Sequence, residues 1–181
     1  MLKLRGFEPS DAEIIVQWIG CEREFRMWCA DQYDHFPIKV EDMVTMYEKR
    51  GKTGTFFPMT VVDENDDAAG HLILRYADEF REVVRFGFII IDDSLRGRGI
   101  GREMLRLAKE YAASVLGAKR LTLGVFANNL SALKCYRSVG FHEAGREVEE
   151  FEIFDEKWKC IEMLYDVSEQ TTKCEGDKSN S

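Results

Sequence analysis

The run Arg96-Gly97-Arg98-Gly99-Ile100-Gly101-Arg102 sets three glycines and three arginines between an apolar stretch, Phe86 to Ile91, and a helical pattern that opens at Ile100. Glycines at such a junction let main-chain N–H groups turn toward an anion with no Cβ in the way. The helix that follows adds its unpaired first-turn donors and the positive end of its dipole. Arg96, Arg98 and Arg102 add full charges. The chemistry this suits is the grip of a pyrophosphate. Two other phosphate grips fail on spacing. A dinucleotide fingerprint needs G-x-G-x-x-G in the first strand–helix unit, whereas G-x-G-x-G follows several strands here, and a P-loop needs Lys-Ser/Thr where Arg102 stands. On its own the motif also fits a turn that merely starts a helix.

A second constellation lies downstream: Asn129-Leu130-Ser131-Ala132-Leu133-Lys134-Cys135-Tyr136-Arg137-Ser138-Val139-Gly140-Phe141. Asn129 is placed to cap a short helix. Gly140 ends that helix, and Phe141 follows where a hydrophobic contact back onto it is common. Tyr136 reads as a core residue beside Phe141, or as a hydroxyl available for proton transfer.

The elements that must position these groups follow from periodicity. Leu2 to Phe7 alternates as a first strand. Ser10-Asp11-Ala12-Glu13 reads as a capping box, with Ile14, Ile15, Trp18 and Ile19 as the buried stripe of its helix. A second helix is expected over Val40 to Lys49, with Met43, Val44 and Tyr47 inward; the aromatic segment between the two has no clear assignment. Phe56–Val62, His71–Tyr76 and Val83–Ile91 read as strands joined by polar turns, hence antiparallel. Ile100 to Leu116 is amphipathic, with Ile100, Met104, Leu105, Ala108, Tyr111, Ala112 and Val115 on the apolar face and Gly117 as its left-handed end. Leu121–Phe126 reads as a buried strand, 130–139 as a short helix, and 146–154 and 158–167 as late strands.

The two motifs together resemble the signatures of the GNAT superfamily of N-acetyltransferases, R/Q-x-x-G-x-G/A and N-x-x-A-x-x-x-Y-x-x-x-G-F, in the right order. The chain is similar in this respect to bacterial ribosomal-protein-type N-acetyltransferases. The resemblance covers residues 83–142 and, through the strand order, extends to 1–167. It implies a single-domain α/β (α+β) fold: a mixed, mostly antiparallel sheet of about seven strands with a central splayed parallel pair, flanked by about four helices. It implies acetyl-coenzyme A as co-substrate, held in the opening between Phe86–Ile91 and Leu121–Phe126. Main-chain groups of Ile89, Ile90 and Ile91 would meet the pantetheine arm, and donors of Arg96, Gly97, Arg98, Gly99, Ile100, Gly101 and Arg102 the pyrophosphate. Asn129 would position the arm, and Tyr136 would act as general acid on the departing thiolate. Lys134 or Arg137 would meet the 3′-phosphate.

The implied reaction is direct attack by a primary amine, of a small molecule or a protein N-terminus, through a tetrahedral intermediate. A lysine-like amine has a pKa near 10.4, so it must be deprotonated first. Relatives often place glutamates for this where Arg85 and Gly124 stand here. His71, Glu79, Asp92 and the acidic run Glu147–Glu152 are substitutes in principle. The acceptor site would lie between Glu22–Pro37 and Glu147–Asp155, an aromatic and acidic wall suited to a cation. The alternatives are a non-enzymatic acyl-coenzyme A-binding module and a different acyl donor on the same scaffold.

Bulk properties bound these readings. With 25 basic and 33 acidic residues in 181 (net charge −8), no broad basic surface for nucleic acid is expected. No stretch reaches the ~20 apolar residues of a membrane span. The N-terminus carries no signal-like run, and the five scattered cysteines form no C-x-x-C pair. A cytoplasmic chain without metal is expected, monomeric or homodimeric, with a polar tail over 168–181.

Overall fold

The structure, a computed structural model, describes residues 1–145 and 149–167. The expected tail from Ser168 and the part of the acidic run at Glu147 lie outside the described residues. In chain order the elements are β1 (Lys3–Gly6), α1 (Asp11–Ile15), α2 (Glu22–Cys29), α3 (Val40–Gly51), β2 (Phe56–Val62), β3 (Ala68–Tyr76) and β4 (Val83–Ile91). Then come α4 (Ile100–Ser114), β5 (Arg120–Phe126), α5 (Leu130–Ser138), β6 (His142–Glu143), β7 (Glu149–Ile153) and β8 (Glu156–Asp166). The sheet order is β1-β2-β3-β4-β5-β8-β6, with β7 also pairing β8. Among the described residues only β4 and β5 pair in parallel, and α4 supplies the crossover that a parallel pair requires. Aspartates in the polar turns hold the hairpins: the Asp63 carboxylate accepts from the N–H of Asn65 and Asp67, and that of Asp78 from Glu82 and Val83.

The fold opens at one place. β4 and β5 pair only from Val83–Phe86 against Arg120–Leu123 and then part. The cause lies in β4. Phe88 has φ of 49°, and against β3 two residues, Phe88 and Ile89, face the single residue Leu72. Such a bulge bends its strand and strengthens the local twist. β5 meanwhile keeps unbroken register with β8, from Arg120 opposite Asp166 to Phe126 opposite Cys160. One strand turns away while its neighbour runs straight. A left-handed non-glycine residue costs about 1–2 kcal/mol. Packing offsets this: the Phe88 ring lies 5.0 Å from Trp28 and 5.8 Å from Tyr33, centroid to centroid.

Two large cores sandwich the sheet, and a smaller cluster of Phe126, Ile153 and Trp158 lies beside them among the described residues. On one face α4 and α5 set Met104, Leu105, Ala108, Leu133 and Tyr136 over Leu72, Leu74, Phe86 and Leu123. On the other, α1 to α3 set Ile15, Trp18, Phe25, Met43 and Tyr47 over Phe56, Ile73, Phe88 and Ile90. The alternation of Leu72, Ile73 and Leu74 between the two cores is the period-2 geometry of a strand. A Cβ on Gly70 would come within 2.9 Å of Met104 Sδ and 2.8 Å of Ile91 Cδ1, so that glycine is what lets α4 lie so close.

Several local expectations are corrected. Ser10 makes no capping hydrogen bond. Instead the Asp11 carboxylate, only 4% exposed, accepts from the Glu8 N–H, the Thr60 hydroxyl and both terminal nitrogens of Arg5, at 2.7–2.9 Å. It ties α1 to β1 and β2. α1 is one short turn that tightens into a 3₁₀ turn at Val16–Trp18, which leaves Ile14 exposed. α4 stops at Ser114, so Val115 is 62% exposed instead of inward. The unassigned aromatic segment contains α2. As the sequence predicts, Gly117 (φ 71°) and Gly140 (φ 96°) are left-handed, and Phe141 folds back to 2% exposure, its N–H donating to the Tyr136 carbonyl oxygen.

Candidate active site

The gap between β4 and β5 is the waist of a cleft of about 1190 Å³. Ile89, Ile90, Ile91, Arg96, Gly97, Gly99, Ile100, Gly101, Arg102, Asn129 and Tyr136 all line it. Residues separated by up to 47 positions are thus brought to one surface. Arg98 is exposed and does not line the cleft.

The cradle fits an anion for reasons of backbone geometry. Gly97 and Gly99 have φ of 77° and 83°, and Gly99 is the N-cap of α4. Glu103 is the first residue of α4 to reach back, its N–H donating to the Gly99 carbonyl oxygen at 3.1 Å. The N–H groups of Ile100, Gly101 and Arg102 have no intrahelical acceptor. A Cβ on Gly97 would project into open space. Beside the cradle, Gly101 is where α5 approaches α4, since a Cβ there would lie 3.4 Å from Cys135 Sγ.

Asn129 caps a helix at the edge of the cleft. Its Oδ1 accepts the Ala132 N–H at 3.2 Å as the cap of α5, and the residue also lines the cleft. Tyr136 likewise packs in the core (7% exposed, centroid 6.5 Å from Phe141) and lines the cleft. Burial pushes its phenol well above the ordinary tyrosine value, so it keeps its proton at neutral pH. Of the two residues expected near a 3′-phosphate, Lys134 lines the cleft, while Arg137 is paired to Glu143.

A model of the acetyltransferase (GNAT) family matches residues 19–141, a span that takes in both motifs and the bulge. The chain belongs to the GNAT acetyltransferase family. Its reaction is acetyl transfer from acetyl-coenzyme A to an amine. Among similar proteins, spermidine N(1)-acetyltransferase of Escherichia coli K12 is 26% identical over 162 residues, 90% of this chain and 84% of that protein. The Vibrio cholerae enzyme of the same name is 24% identical over 164 residues, 91% of each chain. The crystal structure of spermidine N-acetyltransferase from Vibrio cholerae in complex with CoA and spermine superposes with a TM-score of 0.79 at 23% identity, covering 92% of this chain and 96% of that one.

Where GNAT relatives often carry glutamates, this chain carries a linked exchange. The Arg85 guanidinium crosses above Gly124 to Glu162 of β8, with Nη1 2.6 and 2.8 Å from the two carboxylate oxygens. A Cβ on Gly124 would lie 2.8 Å from Arg85 Nη2. With glycine at one position the arginine at the other can lie flat across it; a side chain there would push the guanidinium and Cys160 Sγ, 3.0 Å from that Cβ, aside. Of the substitutes weighed for a base, His71 is fully buried away from the cleft and burial lowers it to about 3, so it stays neutral. Asp92 caps a 3₁₀ turn through the Ser94 N–H, and neither it nor Glu79 lines the cleft. Glu149 does.

The aromatic wall expected for a cation is mostly core. Phe25 is fully buried, and Tyr33 is 7% exposed. Trp28 and Phe151 face the cleft, and the Trp158 ring on the same side already carries Arg23, 4.8 Å above its centroid. Sequence reasoning missed Arg50 and Arg75, which also line the cleft. The available signal was Arg75 itself, on the same side of its strand as buried Ile73.

Proposed function

We propose that the cleft takes acetyl-coenzyme A from the α4–α5 side and a small primary amine from the α2–α3 side, the two meeting at the bulge. The observation that carries this is continuity: cradle, splayed strands, Asn129 and Tyr136 share one cleft that reaches the arginines and Glu149 beyond. The first-turn N–H groups of α4 and Arg102 hold the pyrophosphate, and Lys134 meets the 3′-phosphate. Main-chain groups at Ile89–Ile91, freed from β5 by the bulge, pair with the extended arm. Glu149 receives the ammonium of the acceptor and takes its proton, directly or through water, and Tyr136 returns a proton to the thiolate as it leaves. The phenol, which burial keeps protonated, thus has a proton to give at neutral pH, as an acid must. Of the chain, residues 1–167 make up the acetyltransferase domain, followed by a polar tail sequence over 168–181.

The test is coenzyme A release against a panel of amines with Tyr136→Phe beside the wild type. We expect turnover to fall about 10²–10⁴-fold with coenzyme A affinity unchanged. Undiminished turnover would remove the acid role. Binding of acetyl-coenzyme A with no turnover on any amine would favour a non-enzymatic module.

A further inference from the structure

Arg75 of β3 and Arg85 of β4 are direct cross-strand partners, and Arg75 follows Ile73 by two residues, which places both on the α2–α3 face. Like charges directly opposite one another destabilise a sheet, so this pairing calls for compensation. Glu162 compensates Arg85. It also favours the Arg75 charge, but both its oxygens already accept from Arg85. Desolvation around its stem, then Arg85 and Arg50, disfavour that charge, while the residue as a whole stays exposed. Arg50 enters from the end of α3. Its guanidinium lies over Phe56, the other cross-strand partner of Arg75, and donates to Gln32 Oε1 at 3.1 Å.

These arginines stand where the cleft continues into a second hollow of about 360 Å³, lined by Gln32, Arg50, Thr53, Thr55, Arg75 and their aromatic neighbours. Gln32, Arg50 and Arg75 line both spaces. The hollow thus combines two guanidinium groups, two threonine hydroxyls and a carboxamide. The carboxylates of the cleft lie elsewhere or are engaged: Glu24 accepts from the Gly20 N–H and sits 3.9 Å from Arg96, and Asp31 accepts from Gln32 Nε2. Glu149 remains on the late-strand wall. Arg85 precedes Ile89 by four residues, about 13 Å along the strand, and the arginine side chains cover part of that span.

We propose that the acceptor is a small amine that also carries a carboxylate or phosphate, and that Arg75, with Arg50, holds that anion in the hollow at the end of the cleft. This rests on the reading above, that the α2–α3 side receives the amine. A guanidinium presents paired donors matched to either anion, and a polycation would meet a row of like charges instead.

Coenzyme A release is to be measured with three sets of amines: amino carboxylates, amino phosphates, and polyamines including spermidine. We expect the best anionic amine to exceed spermidine in kcat/KM by about 100-fold or more, and Arg75→Met to raise its KM about 10-fold or more without altering coenzyme A affinity. The same variant should lower the KM for spermidine. Carboxylate and phosphate arms decide which anion is read. Preference for spermidine over every anionic amine overturns the proposal, as does an unchanged KM for both Arg75→Met and Arg50→Met. Titration calorimetry with inorganic phosphate and with acetate separates this result from failure of the enzymatic reading. Should no amine turn over, anion binding lost in Arg75→Met still supports the hollow as an anion site. Absence of binding to the wild type overturns it.

Discussion

His71 shows how burial overrides residue type. It is a histidine on a strand that borders the cleft, yet its Nε2 lies 2.8 Å from Tyr47 Oη and its Nδ1 has no partner. Packed between Phe7 and Tyr47, it remains neutral, with burial lowering it to about 3. The unfolded chain takes up a proton below about pH 6.5, which the folded chain refuses until far lower. Its contribution is therefore fully present above pH 6.5 and is lost as the pH falls toward 3. Urea denaturation between pH 7 and 5 should show stability falling by up to about 1.4 kcal/mol per pH unit. His71→Leu should be less stable at pH 7 and show a flatter slope over that window. An equal slope would mean that the ring takes up its proton in the folded state. Tyr136 is the complementary case, since burial that keeps its proton in place also sets it beside the cleft.

Among the elements, the β4 bulge and the start of α4 do the most to make the site. The bulge was not legible: Phe88 sits in an unbroken apolar run, and its left-handed conformation is imposed by packing against Trp28 and Tyr33. The cradle was legible, because Gly97 and Gly99 occupy the left-handed conformations that glycine adopts without strain. A comparison with Gly117 separates strain from ligand contact. Gly117 also has positive φ, at 71°, and a Cβ there meets nothing within 4 Å. Gly117→Ala should cost about 1–2 kcal/mol in denaturation and leave coenzyme A affinity alone. Gly99→Val should weaken coenzyme A binding by at least about 100-fold, read by calorimetry. Equal affinities in the two variants would remove the cradle from the binding site. Short helices were the least legible elements. α2 was missed and α1 overextended, because one or two turns carry too little periodicity to read and their ends are decided by contacts such as Asp11 with Arg5.

At the level of the whole molecule, the cleft is lined by residues of both large cores, which lie on opposite faces of the sheet. A ligand bridging cradle and bulge ties α4 and α5 to the strand that carries the opposite core. Acetyl-coenzyme A at about 100 times its dissociation constant should therefore raise the unfolding free energy by about 2.7 kcal/mol, in one transition shared by near-UV circular dichroism and tryptophan fluorescence. Two separate transitions, with only one shifted by the ligand, would show that the cores unfold independently. Among the described residues no helix is long and apolar enough to cross a membrane, and no group of three or more metal-ligating side chains is assembled.

The backbone of the proposed donor half was determined by sequence because it is local. Left-handed glycines, a helix start and a capped helix bearing Tyr136 are each set within a few residues, where backbone stereochemistry decides. The acceptor half was decided by the tertiary structure. Arg85 was visible only as a departure, and Arg75 and Arg50 only as charges. Strand register sets Arg75 opposite Arg85, one guanidinium crosses beside Gly124 to Glu162, and α3 brings Arg50 to the other. Charge interactions depend on distances between residues far apart in the chain. Those distances exist only once the sheet has paired.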